Sequence, residues 1–183
     1  MQSTSLVSMH RLVWVALCAA LIALGSMLVV PMGSIPFSMQ PFFVMLAGFI
    51  LAPAMGAVSV LLFLGAGAAG LPVFQKGMAG VAHMLGPTGG FLVGFVFLAF
   101  LAGFGRSRNC PVAVPWVRGL FFGFLGMAAL YLLGWSWLKF SLDLGWGKAF
   151  LAGVAPFFPL GMVKLVMAVA CVRLLAKSRL LPQ

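Results

Sequence analysis

The sequence predicts an all-α membrane protein with six transmembrane helices and both termini in the cytoplasm. Three observations lead there. First, 64% of the 183 residues are hydrophobic and 7% are charged, where an ordinary soluble domain carries about 25% charged residues; there is too little polar surface to cover a soluble core. Second, the apolar residues gather into six stretches. Third, the basic residues lie between those stretches and are shared unequally between their two sides. The 23 glycines fit as well, since glycine is commoner in membrane helices than in soluble ones. The whole chain, 1–183, reads as one membrane domain.

The first stretch, 12–30, ends before Pro31, and it reads as a membrane helix rather than a cleaved signal peptide. The second, 37–52, is short and stops at Pro53. The third, 54–71, ends at Gly70-Leu71-Pro72. The fourth and fifth are 87–104 and 116–138. The sixth, 148–175, carries Pro156 and Pro159 near its start. A spanning helix needs roughly 20 residues, so the second falls slightly short.

Six spans put both termini on one side. That side holds Arg11, Arg106, Arg108, Arg118, Arg173, Lys177 and Arg179; the other holds Lys76, Lys139 and Lys148, with Asp143 among them. The positive-inside rule assigns the richer side to the cytoplasm. This distribution is that of topology signals, not of a basic patch on a polar surface, so no nucleic-acid partner is expected.

Two outer loops are more than turns. The first, 29–42, contains Pro31, Pro36 and Pro41, which prevent a regular helix. The second, 70–91, is long and glycine-rich, with Leu71, Val73, Phe74, Met78 and Val81 between the glycines. It reads either as a connector or as a lid lining a cavity. Pro87 and Thr88 suit the start of the fourth helix, with Thr88 as its cap. His83 reads as a loop histidine. In the first helix Ala16 and Ala20, and Ala19 and Ala23, are four apart; small residues at that spacing admit a close neighbouring helix, in this chain or another.

Composition also limits the chemistry. With a single Asp and no Glu, there is no carboxylate pair, no acidic metal cage and no intramembrane acid to couple to protons. No phosphate-binding loop of the GxxxxGK[ST] kind is present, so the chain does not hydrolyse ATP itself. Cys18, Cys110 and Cys171 show no disulfide or zinc spacing. Neither a metal nor a cofactor is called for. A lipid-modifying membrane enzyme lacks a nucleophile–base set, and a stand-alone secondary transporter lacks both the acid and a visible inverted repeat.

Lys164 is the eleventh base and belongs to neither side. It precedes Arg173 by nine residues, about 14 Å of helix, which places its amine between the midplane and the outer face. A lysine at the centre of a membrane helix costs about 2.5–3.5 kcal/mol. Either it snorkels outward or it lines a cavity and waits for an anion.

Several stretches together resemble the BioY family, the biotin-handling S-components of energy-coupling-factor (ECF) vitamin transporters. They are Ile35-Pro36-Phe37-Ser38-Met39-Gln40, Gly70-Leu71-Pro72-Val73-Phe74, Gly86-Pro87-Thr88-Gly89-Gly90-Phe91, Tyr131-Leu132-Leu133-Gly134, and Pro156-Phe157-Phe158-Pro159 with Lys164. The resemblance implies a six-helix S-component-like bundle in a bacterial plasma membrane. It implies a vitamin bound near the outer face under the two long loops, and a complex with a transmembrane coupling subunit and two cytoplasmic ATPases. The site residues it suggests are Lys164, Gly161, Phe74, Gln40, Thr88, Gly89, Gly90 and Tyr131, with Ala16 and Ala20 meeting the coupling subunit.

One departure stands out. The family usually carries Pro-Gly-Asp-x-x-Lys here, whereas this chain has Pro159-Leu160-Gly161-Met162-Val163-Lys164. The lysine is kept and the acid is replaced by Gly161. Glycine neither accepts from the N–H groups of a ureido ring nor holds the lysine as an ion pair. Biotin is the first ligand expected; lipoate, a carboxylic acid with a less polar head, is the alternative.

Overall fold

The computed structural model describes residues 2–30, 37–107 and 113–178. The expectations that rest on Pro31, Ile35, Pro36, Arg108, Cys110 and Arg179 fall outside them. The molecule is a helical bundle. Helix α1 (Gln2–Met27) is followed by β1 (Val29–Val30), which pairs antiparallel with β2 (Phe37–Ser38). Then come α2 (Gln40–Ala68), a 3-10 turn at Gln75–Gly77, α3 (Val81–Met84), α4 (Gly89–Gly103), α5 (Trp116–Ser141), α6 (Trp146–Gly153) and α7 (Phe157–Lys177).

By length and composition, four helices among the described residues are able to cross a membrane: Met9–Met27, Gln40–Ala68, Trp116–Ser141 and Phe157–Lys177. Gly89–Gly103 is a shorter apolar helix. However, α2 is not one straight rod. Ala52 stands at φ 68°, ψ 173°, with Pro53 next. A Cβ on Gly56 would lie 2.8 Å from the Cα of Gly48, whereas eight residues of straight helix separate two atoms by about 12 Å. The chain therefore reverses at Ala52-Pro53, and α2 is a hairpin of two legs. Proline marks the place because it removes a helical N–H and clashes with the preceding turn. Gly48 and Gly56 let the legs touch. The expected second and third stretches are these legs.

The sixth expected stretch is corrected. It is two helices, α6 and α7, separated where Val154 leaves helical geometry at φ −122°, ψ −55°. Pro156 then takes the N-cap of α7, a place where its missing N–H costs nothing. The first helix also starts earlier than expected and ends at Met27.

The core forms where α2 packs on α1, α4 and α7, and α4 packs on α5. Phe49, Phe63, Leu98, Met127 and Leu130 are fully enclosed there. The two ends of the bundle differ. At the Ala52 end, Arg106 donates to the carbonyl of Ile50 at 2.8 Å and Arg173 to that of Val114 at 3.1 Å. At the Gln40 end, Lys139 lies over the rings of Phe140 and Trp146.

Candidate functional site

A cavity opens at the Gln40 end. Its walls come from β2 and the start of α2 (Phe37, Ser38, Gln40, Pro41) and from the loop after α2 (Phe74, Gln75, His83, Thr88). The remaining walls are α4 (Phe91, Leu92, Phe95), α5 (Leu130, Tyr131) and α7 (Phe157, Lys164). Aromatic and aliphatic surface dominates, with a few polar groups set into it, which is the usual make-up of a small-molecule site.

Lys164 is 6% exposed. Its Nζ donates to the carbonyl oxygen of Ser38 at 2.6 Å and lies 3.6 Å from the centre of the Phe37 ring. The carbonyl dipole and the ring face each favour a cation, but neither carries a full negative charge. Asp143, the chain's one acid, is exposed in the turn after α5. Among the described residues Lys164 has no ion-pair partner.

Gln40 is fully buried, and neither its side-chain oxygen nor its nitrogen has a hydrogen-bond partner among the described residues. A buried amide left unpaired costs about 1–3 kcal/mol. Lying in the cavity wall, it offers one acceptor and two N–H donors. Tyr131 spends its hydroxyl proton on the Phe157 carbonyl at 2.8 Å, which ties α5 to the start of α7.

The loop between α2 and α4 is ordered rather than a simple connector. Phe74 is completely buried. It packs edge-on to Phe63 at 5.5 Å and is stacked by His83 at 5.1 Å. Gly67 is the notch that receives the ring, because any Cβ there would collide with it. Ser26 donates to the Val73 carbonyl at 2.5 Å, Gly80 N–H to the Gly67 carbonyl at 2.7 Å, and Trp137 Nε1 to the Gly86 carbonyl at 2.9 Å. Of the apolar loop residues, Leu71, Met78 and Val81 remain exposed. Burial holds the His83 imidazole pKa below its ordinary value.

The cavity thus brings together Lys164, Gln40, Phe74, Thr88 and Tyr131. Thr88 takes the N-cap position of α4 but makes no side-chain cap bond, so its expected capping role is absent. Gly89 and Gly90 do not line the cavity. A Cβ on Gly89 would collide with the Met84 carbonyl, and one on Gly90 would run into Trp137 on α5 and come within 2.7 Å of the Leu133 carbonyl, so here glycine serves close packing of the chain. Gly161 also lies off the cavity, behind Tyr131: a Cβ there would meet the Tyr131 hydroxyl and the Met127 methyl. Ala16 and Ala20 are exposed on α1, while Ala19 is buried against the bundle.

Sequence reasoning did not single out Phe91, Phe95, Leu130 or the Ser38 carbonyl. Aromatic and leucine side chains in apolar helices carry no local mark that separates cavity wall from lipid contact. A backbone carbonyl carries no mark at all.

A family model described as the BioY family matches residues 1–180. The "Probable biotin transporter BioY" of Pyrococcus horikoshii is 41% identical over 155 residues, covering 85% of this chain and 89% of the relative. The "Biotin transporter BioY" of Thermotoga maritima is 35% identical over 161 residues, covering 87% and 92%. A crystal structure at 2.1 Å, described as the S-component for biotin from an ECF-type ABC transporter, matches with a TM-score of 0.82 at 30% identity, covering 93% of this chain and 92% of that one. The fold, the ordered motifs and these matches agree: the chain belongs to the BioY family.

Proposed function

We propose that this chain is the substrate-binding S-component of an ECF-type vitamin transporter and takes biotin from the outer side. The observation that carries the reading is the enclosed amine of Lys164, in a cavity whose described walls hold no acid. A carboxylate-bearing ligand brings the missing counter-charge. The apolar walls suit a hydrocarbon chain, and the Gln40 amide suits the N–H and carbonyl groups of a ureido ring. A lipoate head would leave that amide unpaired, so the cavity favours biotin. The relatives named as biotin transporters support the same choice.

In this reading the chain crosses the membrane six times, by α1, the two legs of α2, α4, α5 and α7. The arginine-rich end lies in the cytoplasm together with both termini. The loop carrying Phe74 is the lid. Ala16 and Ala20 meet a transmembrane coupling subunit, and two ATPases bound to that subunit drive reorientation and release.

Equilibrium binding of labelled biotin to the purified chain tests this, beside biotin methyl ester and a Lys164→Met variant. Biotin should bind, the ester should bind more weakly, and the variant should remove the difference between them. Equal binding of acid and ester by the native chain would refute the carboxylate assignment.

A further inference from the structure

We infer that the end of the bundle opposite the cavity holds the headgroup of an anionic phospholipid, gripped by Arg11, Arg106 and Arg118 above an exposed aromatic wall of Phe100, Phe104 and Phe121. Arg106 is half-buried, and one of its nitrogens is bound to the Ile50 carbonyl at 2.8 Å. Arg118 reaches the Phe104 carbonyl at 3.5 Å. A guanidinium has five N–H donors, so each has donors beyond the one carbonyl bond it makes among the described residues. Arg106 and Arg118 are neighbours: a Cβ on Gly105 would lie 3.1 Å from the Cα of Gly119. Arg11 is close enough to disfavour the charge on Arg106, in addition to the larger effect of burial.

Cations held this close need an anion, and the described residues do not supply one. Asp143 lies in the turn after α5, beside the Lys139 end. The surface next to the arginines selects the class of anion. Phe100, Phe104 and Phe121 are 40%, 39% and 61% exposed. Their rings are linked through Phe122: Phe100 meets Phe104 edge-on at 5.2 Å, Phe104 is tilted against Phe122 at 5.9 Å, and Phe122 meets Phe121 edge-on at 5.3 Å. A phosphodiester with two acyl chains satisfies both the guanidiniums and this wall, whereas a free phosphate satisfies only the guanidiniums. Basic pockets between membrane helices on the cytoplasmic side bind acidic headgroups on the same physical grounds.

This inference rests on the membrane orientation proposed above but not on the identity of the vitamin. Native mass spectrometry of the chain in mixed phosphatidylglycerol and phosphatidylcholine tests it. The native chain should retain phosphatidylglycerol preferentially. The Arg11→Gln/Arg118→Gln variant alters only exposed side chains and should lower that preference by about fivefold or more per guanidinium removed; Arg106→Gln should lower it further. Biotin binding should stay unchanged in all of them. Equal retention of the two lipids by the native chain, or undiminished preference in the Arg11/Arg118 variant, overturns the inference. So does displacement of the lipid by inorganic phosphate at equal concentration, or variants that fail only in assembly with a protein partner. Failure of the native chain to bind biotin would strike the vitamin assignment and leave this result standing.

Discussion

The Lys164 amine on α7 donates to the Ser38 carbonyl, 126 residues earlier in the chain, across 2.6 Å. This bond joins the last long helix to the strand that leads into α2, at the wall of the cavity. It gives a buried cation a dipole to hold while no anion is present. In the proposed function a ligand carboxylate is the stronger partner, and its arrival would exchange a dipole for a charge at this point.

Lys164→Met should separate binding from stability. Removing one member of a buried, hydrogen-bonded charge pair costs about 2–5 kcal/mol of binding, so biotin affinity should fall at least about thirtyfold. The unliganded protein should unfold at the same temperature or higher, because an apolar side chain of similar length replaces a desolvated cation. Titration of labelled biotin and thermal unfolding in detergent measure both. Unchanged affinity would remove Lys164 from the site.

Gln40→Leu addresses recognition of the ligand head. The native amide is buried without a partner among the described residues, so replacing it with an apolar side chain should not destabilise the unliganded protein. Biotin should bind more weakly by about 1–3 kcal/mol, the cost of leaving its polar groups unpaired. Lipoate should bind no worse, which narrows the gap between the two. Competition binding reads this directly; an equal loss for both ligands would mean that Gln40 does not read the head.

How much of this was legible differs from residue to residue. Apolar content and charge placement are enough for a membrane bundle, and Lys164 stands out because an isolated cation in an apolar run is costly. Pro53 marks a break, but the reversal there depends on Gly48 meeting Gly56 across eight residues, a tertiary contact with no periodic sign. The break at Val154 lies between Gly153 and Pro156, two residues that each weaken a helix but neither of which alone says that it stops. Gly89, Gly90 and Gly161 read as site residues from the motif. The structure places them against the Met84 carbonyl, Trp137, and Tyr131 with Met127 respectively; a glycine in a motif does not say whether it makes room for a ligand or for the chain's own packing.

Ala52→Gly should stabilise the protein. Ala52 occupies φ 68°, ψ 173°, a region essentially reserved for glycine, at a cost on the order of 1–3 kcal/mol. Glycine adopts it without strain but adds roughly 0.5–1 kcal/mol of unfolded-state entropy. The net expectation is a gain of about 1 kcal/mol, seen as a higher unfolding temperature. Ala52→Val should lower that temperature. The opposite order would place the turn elsewhere.

The loop over residues 70–88, the proposed lid, should loosen in mild acid. Burial holds the His83 pKa below its ordinary 6.5, so the closed loop favours neutral imidazole. The stabilisation from His83 is complete above about pH 6.5 and is lost as pH falls toward the depressed value, because the opened loop takes up the proton first. Lys164 is the one basic side chain besides His83 among the described cavity walls. Hydrogen exchange of residues 70–88, corrected for intrinsic rate, should therefore quicken between about pH 7.5 and about pH 5.5. His83→Gln should flatten the response. A native loop insensitive to pH would remove His83 from the closing contact.

Gly161→Asp, which restores the acid usual in the family motif, should weaken biotin binding when made alone. The space a side chain needs at 161 is filled by the Tyr131 hydroxyl and the Met127 methyl. That hydroxyl is bonded to the Phe157 carbonyl at 2.8 Å, so an aspartate must break the bond between α5 and α7 before it reaches the cavity. Tyr131→Phe takes away the obstructing oxygen and should cost about 1 kcal/mol of stability through the lost hydrogen bond. Combined with Gly161→Asp, it should recover much of the binding lost by the aspartate alone, a coupling that a double-mutant cycle on biotin affinity measures. Additive effects would show that Tyr131 does not occupy the place of the missing carboxylate. A single Gly161→Asp change that binds biotin more tightly would show that the tyrosine yields that place without cost.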